Sequence, residues 1–329
     1  MSSQSKDGVL AVCGSLLGLS AIAIGLRFYA RRKTRMPIMT DDLLTIASFV
    51  TFAGAAIVSI ISKFPISTSM LFDFLYRNML THLIVVHYHI IGYALSPAIA
   101  GELSAKLQIA WDVLGTTSLA CSKLSALFFY RRIFYIGERR NLFNTVIIGT
   151  IFVVILWLFV FQFLTGFQCG THFSALWDGN YERYCTLSFP FLYGLAISDF
   201  LLDIWILSLP VPRVLRLNAP LFKKIAVLGV FFLTFIGVFA SGARMYQYIQ
   251  TERGGPDYFI KHDEERAITI IFFYTMLEIG VSLIAVNLPS LWFLVSSINP
   301  DKILRQISSK LSFSSLSSDS DKTPMGTLP

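Results

Sequence analysis

Charge is what this sequence has least of. Only 14% of its 329 residues are Asp, Glu, Lys or Arg, against about 25% in an ordinary soluble domain. A chain this long could bury a large core in water, but not with so little charge to coat it. A water-soluble globular protein is therefore excluded. Also missing are a Gly-rich nucleotide loop, an HExxH pair and a nucleophile elbow, and with them the chemistries those motifs mark. No Asn-x-Ser/Thr sequon, lipidation motif or C-terminal retrieval signal occurs. Cysteine is scarce, four in all.

What fills the space is apolar. Hydrophobic residues make up 54% of the chain, with 29 Phe, 13 Tyr and 5 Trp, and the mean hydropathy is +0.64. Such aromatic content suits lipid-facing surfaces and interfacial belts. The net charge of +7 does not point to nucleic acid, because the basic residues fall in short clusters between apolar runs. The lipid bilayer is the partner this composition implies.

A bilayer core of about 30 Å takes roughly 20 apolar residues of helix. Seven segments meet this, at 9–27, 43–62, 110–130, 143–167, 187–209, 225–246 and 268–298. The first is too long for the apolar core of a cleaved signal peptide and its flank, Lys6 and Asp7, is not basic, so it reads as a retained helix. Four dense basic clusters, Arg27 to Arg35, Arg131 to Arg140, Arg213 to Lys224 and Lys302 to Lys322, hold seventeen Lys or Arg. With seven spans and the N-terminus outside, all four face the cytoplasm, while eight Lys or Arg are spread over the outer segments. That is the positive-inside asymmetry. An uncharged stretch from Leu80 to Ala100 is long enough to be an eighth span, but counting it reverses every later cluster. It is placed instead as an interfacial or re-entrant helix on the outer face, with eight spans as the alternative.

The expected architecture is thus all-α: a polytopic seven-helix membrane domain over residues 1–300. A disordered cytoplasmic tail follows over 301–329, where Ser308 to Ser320 contains eight serines. The protein is expected to be a multi-pass component of the plasma membrane or an endomembrane. In the first helix Gly14, Gly18, Ala21 and Gly25 recur at three- and four-residue steps. They predict a ridge where another helix approaches closely, a neighbour in the same bundle ahead of the alternative, a dimer face.

Charges inside a bilayer are costly and each asks for a partner or a role. Five stand out: Lys123, Asp199, Asp203, Arg244 and Glu278. Lys123 lies eight residues before Arg131 and Asp203 seven before Pro210, so equal rise per residue puts them at similar depth and opens an ion pair. Asp199 is one turn from Asp203 on the same face. Glu278 lies in the outer half of the last helix, and Arg244 could snorkel outward or reach it. Two readings stay open. One is a polar cavity that binds a ligand, a proton or a switch; the other is a set of structural ion pairs fixing helix positions.

Candidates on the outer face are His82, His87, His89 and Asp112, the last at the outer mouth of the third helix. A metal site needs three or four converging ligands, to which His172 or His262 would have to contribute, and no ligand spacing of that kind occurs. No metal is expected. Cys13 and Cys121 lie in helices and read as buried thiols. Cys169 and Cys185 flank one outer loop in the oxidising compartment, where a disulfide would tie it across the outer mouth.

Laid out in order, these residues resemble the fungal rhodopsin-domain family of integral membrane proteins, which includes a protein of the satratoxin gene cluster and receptor-like proteins of filamentous fungi. The resemblance runs from about residue 9 to 298. It rests on Arg27, Tyr29 and Arg31 with Asp41-Asp42, and on Lys123-Leu124-Ser125 with Phe129-Tyr130-Arg131-Arg132. Cys169, Trp177 and Cys185 belong to it, as do Asp203 with Leu209-Pro210-Val211-Pro212, Gly237 and Arg244, and Glu278 with Leu288-Pro289. The interval from Asp42 to Lys123 is longer than the family's, and its Gly-x-Gly-His-like signature before helix three survives only as Gly92 after His87 and His89. The resemblance implies a seven-helix, receptor-like bundle. The extracellular cysteine-rich module of some receptor-like relatives is not expected here, because few residues precede helix one.

No lysine occurs from Ala267 to Ile298, so a retinal Schiff base has no residue to form on at the usual seventh-helix position, and no cofactor is expected. The leading expectation is a receptor-like protein sensing a small or lipophilic ligand, with a cytoplasmic partner the sequence does not identify. The alternative is a membrane-embedded enzyme or accessory of fungal secondary-metabolite biosynthesis, using the intramembrane carboxylates or outer histidines as acid–base groups. A transporter ranks third, because neither an inverted repeat nor a matched pair of broken helices is visible.

Overall fold

The computed structural model describes residues 6–33, 35, 37–63, 97–134, 142–177, 184–185, 188–212, 221–261 and 264–297. Among these there is no strand. Seven long helices follow one another: α1 (Lys6–Lys33), α2 (Thr40–Lys63), α3 (Pro97–Phe134), α4 (Leu142–Phe167), α5 (Ser188–Ser208), α6 (Leu221–Lys261) and α7 (Glu264–Ser297). Among the described residues, α1 to α5 and α7 carry a run long and apolar enough to cross a membrane, and the sequence of α6 holds the apolar segment 225–246.

The helix ends follow local chemistry. Arg31, Arg32 and Lys33 close α1, where cations oppose the negative end of the helix dipole. Asp41 and Asp42 open α2, and the Asp42 carboxylate accepts a hydrogen bond from the Met39 backbone N–H at 2.9 Å, satisfying a donor the helix leaves free. Helix α3 starts at Pro97, a residue suited to a first helical position. It therefore begins well before the apolar run at 110. The intervening Glu102 and Lys106 interrupt the hydropathy, yet they form an i,i+4 ion pair at 2.6 Å that supports a helix. Residues 97–100, expected to end a separate interfacial helix, are instead the first turn of α3; residues 80–96 lie outside the described part. Helix α6 likewise runs on past its apolar run to Lys261.

Burial is inverted relative to a soluble protein. Phe152, Phe159, Phe235 and Phe239 are each more than 60% exposed, while Ser20, Thr45, Ser48, Ser118 and Asn287 are buried. Hydrocarbon, not water, is the solvent for the outer face. Inside, α7 packs against α1, α2, α3 and α6, and α3 against α2 and α4. One apolar core joins α1, α2, α3 and α7 around Phe52, Trp111, Phe272 and Met276. A second joins α3, α4 and α5 around Leu127, Val154, Trp157 and Phe191.

The small-residue ridge of α1 faces the other way from expectation. Gly14, Gly18, Ala21 and Gly25 are exposed, with nothing near the three glycines. The buried face is the one carrying Cys13, Leu16, Ser20, Ala23 and Arg27. The close approach depends on a glycine of the partner helix, Gly280 of α7, so α1 has no need of its own small residues there.

Candidate functional site

Between the two apolar cores, four helices each deliver a charge to one point. Lys123 of α3 reaches all three nearby carboxylates: Nζ donates to Asp203 Oδ1 and lies 3.2 Å from Asp199 Oδ1 and 3.9 Å from Glu278 Oε1. Arg244 of α6 completes the cluster, its Nη2 donating to Asp199 Oδ2 and lying 3.1 Å from Glu278 Oε2. Lys123, Asp199, Arg244 and Glu278 are all buried, and Asp203 is partly so. Helical spacing explains the convergence: Asp199 and Asp203 sit one turn apart on α5, and both are presented to α3.

The three acids offer oxygens within 4.8 Å of one another, a distance that suits a metal ion. The Lys123 ammonium already reaches all of them, however, and serves as their cation. Three carboxylates share two cations, so the pairing is not one-to-one. The carboxylate oxygens of Glu278 and the Oδ1 of Asp199 are buried without a well-formed hydrogen bond.

Two small cavities touch this cluster. One, about 20 Å3, is lined by Trp111, Asp112, Thr116, Arg244 and Tyr248, with an apolar wall from α5. The other, about 60 Å3, is lined by Ser122, Lys123, Tyr130, Asp203, Thr234 and Ser282. Arg244 borders the first and Lys123 the second, so the ion-pair cluster stands between them.

A second charged cluster lies near the end of α1. Arg27, wholly buried, donates from Nη2 to Asp41 Oδ2 at 2.6 Å and from Nε to Asp42 Oδ1 at 2.7 Å. Its Nη1 donates to the Val286 carbonyl and Asn287 Oδ1 on α7. Arg31 holds the same two acids at 2.7 and 2.8 Å. Ser125 of α3 donates to the Asp41 carbonyl at 2.9 Å. Arg27 and Arg31 count among the basic residues that mark an inner loop, yet both are interior groups joining α1, α2 and α7. The signal was the i,i+4 step of Arg27 and Arg31 on the buried face together with the adjacent pair Asp41-Asp42.

The remaining candidates scatter. His82, His87 and His89 lie outside the described residues. His172 is exposed and sits against the Tyr184 ring at 4.6 Å. Cys169 and Cys185 form a disulfide, and Cys13 and Cys121 are buried thiols. Arg131 is exposed and donates to Asn144 at 3.2 Å. Pro210 is buried just after α5, Pro212 is exposed, and Pro289 falls within α7. Sequence reasoning missed Trp111, whose buried Nε1 has no hydrogen-bond partner among the described residues. It also missed the Ser48–Ser118 pair, in which each hydroxyl donates to the other's carbonyl, at 2.9 and 2.8 Å.

The elements carrying both clusters, from the end of α1 to α7, fall within a match of residues 26–297 to the fungal rhodopsin domain. The chain belongs to the fungal rhodopsin domain family. A relative described as a SAT4 family membrane protein, from Emericella nidulans, is 30% identical over 142 residues, 43% of this chain and 36% of that protein. The match thus spans about a third of the relative's length. No solved structure matches the chain. Membrane residence goes with the family, the described residues are all-helical, and Cys169 and Cys185 form the disulfide.

Proposed function

We propose that this protein is a receptor-like seven-span membrane protein, with its N-terminus outside and its C-terminus in the cytoplasm, that senses a small ligand through the ion-pair cluster between its cavities. The observation that carries the reading is the double position of Arg244. Its guanidinium lines the first cavity and also holds Asp199 and Glu278. A ligand in that cavity would act on the group linking α5, α6 and α7, and through the shared carboxylates on Lys123 at the second cavity. A ligand shifts an equilibrium only by binding two states differently. Three carboxylates around two cations offer more than one pairing, which is the bistability such a shift needs.

The orientation rests on the basic clusters at the proposed cytoplasmic ends, and the disulfide-tied loop then lies in an oxidising compartment. The enzyme reading is less favoured. Each clustered carboxylate already faces a cation, which leaves none of the three free to act as a general acid or base. No retinal is proposed, since α7 carries no lysine.

The test is gene deletion followed by add-back of wild type or Arg244→Lys, which keeps the charge and loses the two-pronged donor. The expected result is an altered transcriptional response with an unchanged metabolite pattern, restored by wild type and not by Arg244→Lys at equal membrane level. An accumulating intermediate that membranes carrying the protein convert would overturn the receptor reading in favour of an enzyme.

A further inference from the structure

The first cavity contains polar groups that the fold leaves unsatisfied, and their chemistry describes a ligand. Asp112 on α3 is half-buried. Its one described hydrogen bond is a 3.5 Å contact from Gln108 Nε2, and no Lys, Arg or His among the described residues lies within ion-pair distance of it. Trp111, beside it, is 4% exposed and stacked on Phe272 with ring centroids 4.1 Å apart, so the indole is held in place. Its Nε1–H is buried without an acceptor among the described residues, and so is the Nε of Arg244. An unmet buried donor costs about 1–3 kcal/mol. The residues that carry these two donors line one cavity together with Asp112.

Charge balance points the same way. Asp112 shares the first cavity with Arg244, which belongs to a cluster of three carboxylates, Asp199, Asp203 and Glu278, and two cations, Lys123 and Arg244. The two cations are already shared by the other three acids. Among the described residues, the cavity offers no cation beside Asp112 and no acceptor to Trp111 Nε1 or Arg244 Nε.

We infer that this cavity binds a small cationic ligand bearing an oxygen acceptor beside its ammonium group, amino alcohols being the simplest members of the class. The ammonium pairs with Asp112, and the oxygen accepts from Trp111 Nε1 and Arg244 Nε. The inference rests on the receptor reading of the same cavity and names its ligand chemistry. An ordered water fits a space of about 20 Å3 and could satisfy the donors, but it brings no charge. A larger occupant must displace the α5 wall, Phe191, Leu192 and Leu195. Leu195 lies one turn before Asp199, so ligand entry bears on the ion-pair cluster.

The experiment uses the full chain in lipid nanodiscs and four probes at matched ionic strength: ethanolamine, ethylammonium, ethanol and acetate. Ethanolamine is expected to raise the unfolding temperature by about 2 °C or more, ethylammonium by less, and ethanol and acetate not at all. Asp112→Asn should abolish the ethanolamine shift. Asp112→Glu, which keeps the charge but moves it by one methylene, should weaken it. Trp111→Phe should erase the advantage of ethanolamine over ethylammonium. An ethanolamine shift that persists in both Asp112 variants overturns the inference. A shift with acetate alone, lost in Trp111→Phe, overturns the ligand class while leaving a receptor cavity in place. No shift with any probe overturns the inference and reduces the cavity to a water site, while the receptor reading is decided separately by the Arg244→Lys add-back.

Discussion

A Cβ placed on Gly280 of α7 would lie 2.7 Å from the Cβ of Leu16 on α1, a separation no pair of side chains occupies. Glycine is required there because two helices approach closely, not because the backbone turns. Gly280→Ala is therefore expected to destabilise the protein by about 1–3 kcal/mol, read as a lower unfolding temperature in nanodiscs. Gly18→Ala, on the exposed face of α1, should leave that temperature unchanged or raise it. Equal effects of the two would mean that the α1–α7 contact is not as described.

Arg27 is expected to be among the least replaceable residues. Arg27→Met leaves Asp41 and Asp42 buried with Arg31 as their closest cation, and removal of one partner from a buried ion pair costs about 3–5 kcal/mol. Arg27→Lys should recover little, because one ammonium cannot reach Asp41, Asp42 and the α7 acceptors together. The yield of monodisperse protein after extraction, compared with wild type, measures this.

In the central cluster the two signs of charge should respond unequally. Lys123→Met removes one of two cations facing three carboxylates and should lower the unfolding temperature strongly. Asp203→Asn removes a partly exposed acid where acids outnumber bases, and should cost much less. Combining Lys123→Met with Asp203→Leu should restore part of the loss, because the pair is replaced together. If both singles match wild type in stability and in response, the cluster carries neither structure nor signal.

The Cys169–Cys185 bond should stabilise the protein by about 3 kcal/mol, as the chain-entropy model gives for a loop of this length. Cys169→Ser is accordingly expected to lower the unfolding temperature. In intact cells, a membrane-impermeant maleimide should label a cysteine introduced at His172, exposed on the disulfide-tied loop, but not one introduced at Arg139. Labelling at Arg139 would reverse the proposed orientation. A cysteine at position 87 distinguishes seven spans from eight by the same assay.

Sequence alone located the helices, because roughly 20 consecutive apolar residues have few alternatives to a membrane-spanning helix. It also singled out the five interior charges, since each is expensive in hydrocarbon. Their partners were legible only in part. Equal depth suggested Lys123 with Asp203, but depth along a helix does not fix rotation about it, and rotation decides which carboxylates meet which cation. Only the tertiary structure showed Lys123 and Arg244 each shared among several acids. The same limit hid the outward turn of the α1 glycines, the burial of Arg27 and Arg31, and the unmet donor of Trp111. A lipid-facing side and a core-facing side can both be apolar, so hydropathy fixes that a helix crosses the membrane, and only packing against neighbours fixes which way it faces.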